Sequence, residues 1–206
     1  MRGTQLFVAA LFAMSVAACG HGDNSARNDG TPGAAGTSGR GTTALSMGER
    51  NFVQDQLKDG SREVQLGELA EKNAASADVK EFARMMVQDH TRAGKKLEEV
   101  AQRENVEMEN KSDNDARDDV EKLSKLSGRD FDKEYIDMMV KDHKDAVDAL
   151  QDQAQNADHA DVKTWAAETL PRVKHHLEVA QQLQTQLSNA DNNSASNPKP
   201  KKNSGE

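Results

Sequence analysis

Apolar residues recur every three or four positions through most of the chain between Gly48 and Leu187, the interval that returns side chains to one face of a helix. A first helix is predicted over about Gly48 to Ala75, with Val53, Leu57, Gly60, Val64, Gly67 and Ala70 facing inward. A second, from an N-cap at Ser76 or Asp78 to about Glu104, turns Val79, Phe82, Met86, His90, Ala93, Leu97 and Val100 to one side. A short prelude, Ala116 to Leu126, stops at Ser127-Gly128. The third long helix restarts at a cap, Asp130, and aligns Ile136, Met139, His143, Ala146, Leu150 and Ala154. The fourth runs from about Ala160 to Leu187 through Val162, Trp165, Thr169, Val173, His176, Ala180 and Leu183. No segment alternates with period two long enough to form a strand. Four amphipathic helices with short connections predict an all-α, antiparallel four-helix bundle over residues 46–188. Gly60 and Gly67 would let the first helix approach a neighbour closely, and Pro171 predicts a kink in the fourth.

The flanks read differently. Arg2 and the terminal amine precede a thirteen-residue apolar run, Leu6 to Ala18, and then Val16-Ala17-Ala18-Cys19. That is a secretory signal over residues 1–18, too short to span a bilayer. Its end resembles the bacterial lipobox, in which the cysteine becomes the lipidated first residue of the mature chain. An ordinary signal cleaved nearby would instead leave a free thiol. Gly20 rather than Asp after the cysteine favours the outer membrane, facing the periplasm. Residues 19–45 are poor in large apolar groups and rich in Gly, as a flexible tether would be. Residues 189–206 are expected to be a disordered tail with a basic knot, Lys199-Pro200-Lys201-Lys202.

Composition narrows the partners. A net charge of −8 with 3% aromatic residues opposes any grip on nucleic acid, which needs a basic footprint. The membrane, through a lipid on Cys19, is the one partner the sequence indicates. At 206 residues the chain buries enough core to need no disulfide or structural metal.

The second and third helices repeat one another. Glu81-Phe82-Ala83-Arg84-Met85-Met86-Val87-Gln88-Asp89-His90 parallels Glu134-Tyr135-Ile136-Asp137-Met138-Met139-Val140-Lys141-Asp142-His143, with eleven of twenty-three positions identical from Lys80 to Gln102. The repeat suggests a duplicated helical hairpin. Together with Glu63-Val64-Gln65-Leu66-Gly67-Glu68-Leu69-Ala70, with Gly128-x-x-Phe131-Asp132-x-x-Tyr135 and with Leu170-Pro171-x-x-x-His175-His176-Leu177, these segments resemble the bacterial family called domain of unknown function 4142. The resemblance implies a ferritin-like bundle in an exported or outer-membrane protein, and implies no activity.

Three of the six histidines lie on apolar stripes: His90, His143 and His176. Each stands near the middle of its helix, as Glu63 does on the first, so one carboxylate and three imidazoles are expected to converge. Such a layer suits zinc, copper(II) or iron, and the thioethers of Met86 and Met139, one turn earlier, would favour copper(I). The alternative is a polar core layer that fixes the alignment of the helices. Diiron bundles need Glu-x-x-His on two helices, and here Val87, Val140 and Val173 stand three residues before the histidines. Asp89 and Asp142 fall beside the stripe, solvated or bonded to a neighbouring helix. His21, His159 and His175 fall in tether, loop and outer face and are given no role. No nucleophile or nucleotide motif is present. The leading reading is a non-enzymatic envelope module acting through protein contacts, under stress among other conditions; a metal-binding envelope protein is the alternative.

Overall fold

The computed structural model describes residues 44–107 and 114–196, without the side chains of 114–115 and 191–196. The expected signal segment, Cys19, nearly all of the expected tether (through residue 43) and the basic knot lie outside these residues. Five helices follow one another: α1 (Met47–Asn73), α2 (Ala77–Arg103), α3 (Asn114–Ser124), α4 (Gly128–Asn156) and α5 (Ala160–Ser196). No described helix is long and apolar enough to cross a membrane.

The start of α1 is set by a capping box. The Glu49 backbone N–H donates to Ser46 Oγ, and the Glu49 carboxylate accepts from the Ser46 N–H at 2.8 Å, which satisfies donors a helix start leaves orphaned. The α1–α2 turn is pinned by Asp132 of α4, a buried carboxylate that accepts the N–H groups of Ala75 and Ser76, both at 2.8 Å. Helix α4 begins two residues before the expected cap: Ser127 is its N-cap, Gly128 takes φ +61°, and Asp130 lies in the first turn. Helix α5 continues through Pro171 and past Leu187 to Ser196. The expected tail is therefore partly helical. Nothing in the sequence from Ser188 to Ser196 forbids a helix.

Helices α1 and α2 pack along each other, as do α4 and α5, while α2 also meets α5 and α1 meets α4. The four long helices therefore close into a ring in which α2 and α4 stand diagonally, and α3 lies against α1. The result is an all-helical bundle. This arrangement corrects the duplicated-hairpin expectation. The repeat occupies the second helix of one hairpin and the first of the other, so it relates diagonal partners, not successive hairpins.

Close approach is confined to Gly67. A Cβ there would sit 2.7 Å from Val87 Cγ2 and 3.3 Å from the Ala83 carbonyl oxygen. At Gly60 the nearest atom would be His90 Nδ1, at 3.9 Å, so Gly60 leaves room and brings no backbones together. The inward face of α1 also differs slightly from its stripe: Leu66 is fully buried and Val64 only half-buried.

Two apolar clusters fill the bundle. One gathers Leu66, Phe82, Met86, Tyr135, Met139 and Ala180 among others; the other gathers Leu57, Leu97, Leu150, Trp165 and Val173. Along each long helix the residue between the clusters is polar: Glu63, His90, His143 and His176.

Candidate metal centre

Each of these four side chains comes from a different helix, and the structure brings them together. The ring centroids of His90, His143 and His176 are 5.3–5.5 Å apart, and one ring nitrogen of each lies within 4.8 Å of the other two. His143 and His176 are essentially sealed from solvent, at 0% and 2% side-chain exposure, while His90 keeps 13%.

The outward nitrogens are all engaged. His90 Nδ1 is 2.9 Å from Glu63 Oε2. His143 Nδ1 donates to the Met139 carbonyl at 3.0 Å and lies 3.5 Å from Glu63 Oε1. His176 Nε2 donates to Asp89 Oδ2 at 3.1 Å, and Asp89 Oδ1 takes the Arg172 and Arg92 guanidiniums at 3.2 and 3.3 Å. The second nitrogens, Nε2 of His90, Nε2 of His143 and Nδ1 of His176, are buried without a partner. An imidazole that donates through one nitrogen is fixed in the tautomer whose lone pair is on the other, the arrangement of a histidine prepared to bind metal. Zinc–nitrogen bonds of about 2.0–2.1 Å would draw the three nitrogens to roughly 3.5 Å apart, a small turn of each ring.

Glu63 thus stands behind His90, across the ring from its unpartnered nitrogen, as an orienting base and not beside the open ligand atoms. Met86 and Met139 are fully buried in the apolar cluster next to the layer, and Met139 serves the site through its backbone carbonyl. Asp142 pairs with Arg62 at 2.7 Å, and Arg62 reaches Asp119 of α3 at 2.6 Å.

Charge is distributed unevenly. Burial alone would raise the Glu63 carboxyl, but the His90 and His143 imidazoles and the hydrogen bond from His90 hold it at about 2. Burial would depress His90, yet Glu63 and Asp89 keep it above its ordinary value. His143 is lowered by burial against the pull of Glu63. His176 falls to about 4 through burial and the neighbouring His90. At neutral pH the layer therefore holds the Glu63 carboxylate and two neutral imidazoles, His143 and His176, with His90 the ring that keeps a proton to the highest pH.

A cavity of about 400 Å³ opens beside the layer, with Glu63 and His90 in its lining. Asp59 on its rim is pushed up to about 6 by the protein around it and by Glu63, Asp55 and Asp142, against Arg62.

Sequence reasoning missed a second polar knot. His159, expected in a loop without a role, is 1% exposed. Its backbone N–H donates to Glu49 Oε1 at 2.8 Å, its Nδ1 accepts from the Asp161 N–H at 3.3 Å, and its Nε2 lies 3.4 Å from Glu104. The signal for it was local: His159 stands two residues before Asp161 at the start of α5, where a side-chain acceptor caps a helix. His175 is exposed, and His21 lies outside the described residues.

Among solved structures, the crystal structure of a DUF305 fragment from Deinococcus radiodurans is similar, with a TM-score of 0.61 and 16% identity over 70% of this chain and 99% of that one. That likeness concerns the fold alone. No curated protein matches the chain. The family described as domain of unknown function (DUF4142) matches residues 34–183, a span that contains the whole histidine layer. On that match the chain belongs to the DUF4142 family.

Proposed function

We propose that the protein is a lipid-anchored component of the bacterial cell envelope, a ferritin-like four-helix bundle that binds one transition-metal ion through His90, His143 and His176. One observation carries the metal reading: three rings from three helices converge within ligand reach of one another, and each keeps one buried nitrogen without a partner while the opposite nitrogen is held by an acceptor. A buried polar atom left unpaired costs about 1–3 kcal/mol, so three of them in one layer call for an occupant. Imidazole ligands suit zinc, copper(II) or iron. Carboxylates are too few for a diiron oxygenase, so binding, buffering or sensing of the ion is favoured over an enzymatic role. Anchoring rests on Cys19 and the apolar run before it, and Gly20 favours the outer membrane.

The second reading, a polar layer that aligns the helices of an interaction module, is supported by the buried Glu63–His90 pair. Melting curves separate the two. Ligand at a hundred times its dissociation constant adds about 2.7 kcal/mol, which for a bundle of this size is roughly 5–10 °C in Tm. Zinc(II) or copper(II) is expected to produce that shift in the wild type and in His175→Ala, and not in His143→Ala or His176→Ala. The shift should fade below roughly pH 6, where protons compete for the rings. A wild-type curve indifferent to both ions, in protein purified without bound metal, would leave the aligning layer as the function of these residues.

A further inference from the structure

We infer that the acid-rimmed cavity beside His90 is the route by which the cation reaches the histidine trio, with the His90 ring as its gate; this rests on the metal-binding reading above. The cavity lies among α1, α2, α4 and α5, and Asp55, Asp59, Asp142 and Asp145 line it. Arg62, the one basic side chain other than His90 in the lining, is already committed to Asp119 and Asp142. Among the described residues, Asp55, Asp59 and Asp145 make no ion pair, so the rim presents uncompensated negative charge. A cleft lined by one sign of charge raises the local concentration of opposite ions and their rate of arrival.

His90 is the only member of the trio in the cavity lining. His143 and His176 lie behind it, at 0% and 2% exposure. An ion in the cavity thus meets the exposed edge of His90 first and reaches the other two nitrogens only after that ring turns.

The walls are open where packing alone would close them. Gly94 has no atom within 4 Å of where a Cβ would be, and at Gly60 the nearest is the His90 ring itself. Ala93, Ala146 and Ala149 complete a small-residue wall. Glycine in a helix interior costs about 1 kcal/mol relative to alanine, and Gly67 offsets that cost by helix approach, whereas Gly60 and Gly94 do not. What these two positions preserve is the passage.

Rapid mixing of the detergent-solubilised full chain with cobalt(II) chloride tests this, because tetrahedral imidazole ligation gives the ion a strong visible band. In the wild type, loading should slow steeply as salt is raised. Asp55→Asn/Asp59→Asn/Asp145→Asn should load at least tenfold more slowly at low salt and lose most of that dependence. Gly94→Leu should load more slowly at every salt concentration, with Ala149→Met as the second plugging variant if Gly94→Leu does not fold. All should reach the same final absorbance, and Glu178→Gln, outside the cavity, should load at the wild-type rate. If the wild type loads but the neutralised and plugged variants load equally fast, the route is wrong and the metal site stands. If the wild type develops no such band, the metal reading itself falls. A weak band that survives in His143→Ala would place the ion on the carboxylates, and the cavity would be an end point and not a passage.

Discussion

His176 shows at the scale of one residue what the polar layer costs the protein without metal. It is buried, neutral and lowered from an ordinary value of 6.5 to about 4, so between those values the unfolded chain binds a proton that the folded chain refuses. Stability contributed by its neutral form is present above pH 6.5 and is lost as pH falls toward 4, by about 3 kcal/mol over the window. His143 acts in the same direction. Glu63, depressed from 4.5 to about 2, continues the loss below pH 4.5. His90 is raised, so its contribution runs the other way: it is full below 6.5 and lost as pH rises through its folded value. Chelator-treated protein is therefore expected to lose denaturant midpoint on acidification from pH 6.5 to 4. The slope should be smaller in His176→Leu, whose former partner Asp89 keeps Arg172 and Arg92. An equal slope in that variant would mean that His176 takes up its proton without cost. Asp59, raised to about 6 on the cavity rim, is a carboxylate whose charge costs stability at neutral pH, as expected where charge is kept for something other than folding.

At the scale of elements, three glycines with the same helical setting are expected to respond differently. Gly67→Ala drives a methyl to 2.7 Å from Val87 Cγ2 and 3.3 Å from a backbone oxygen. Overpacking of this kind costs about 1–3 kcal/mol, against a propensity gain of about 1 kcal/mol. Net destabilisation should follow, with part of it recovered in Gly67→Ala/Val87→Ala because the two sites touch. Gly94→Ala meets nothing and should gain most of the propensity, raising the urea midpoint. A gain in Gly67→Ala or a loss in Gly94→Ala in equilibrium unfolding would contradict the packing described here. Gly60→Ala should lie between, since its methyl contacts only the His90 ring. The repeat also acts at this scale. Its two Asp-His pairs sit on diagonal helices, and each aspartate reaches the next helix of the ring: Asp89 to His176 and Arg172 on α5, Asp142 to Arg62 on α1. The other two helices differ in the layer itself, where α5 supplies His176 and α1 supplies Glu63. Glu63 there meets the His90 nitrogen opposite the unpartnered one.

For the whole molecule, the expected anchor is a separate matter from the bundle. Cys19→Ser is expected to move the protein from the membrane to the soluble envelope fraction, because acyl chains on the cysteine supply the two-signal anchoring that a basic tail alone does not. Retention of the variant on membranes, or a mature mass without lipid, would count against lipidation. What the sequence by itself determined was the set of helices and the level at which their polar residues meet. Periods of three and four residues fix which side chains share a face, and a position halfway along each helix coincides with its neighbours in a bundle whichever way they run. Four residues chosen that way do converge. Helix ends were less legible: the Ser46–Glu49 capping box went unread, and α5 ran on into a polar segment where no apolar face marks a boundary. The tertiary structure alone decided which nitrogen of each ring is engaged and which is left open. It also decided that Glu63 stands behind His90, that Asp89 belongs to His176, and that Glu49 ties His159 to the start of α1. These are contacts between residues 27 to 110 positions apart on different elements, set by the order of helices around the ring. Periodicity along one helix carries no information about that order.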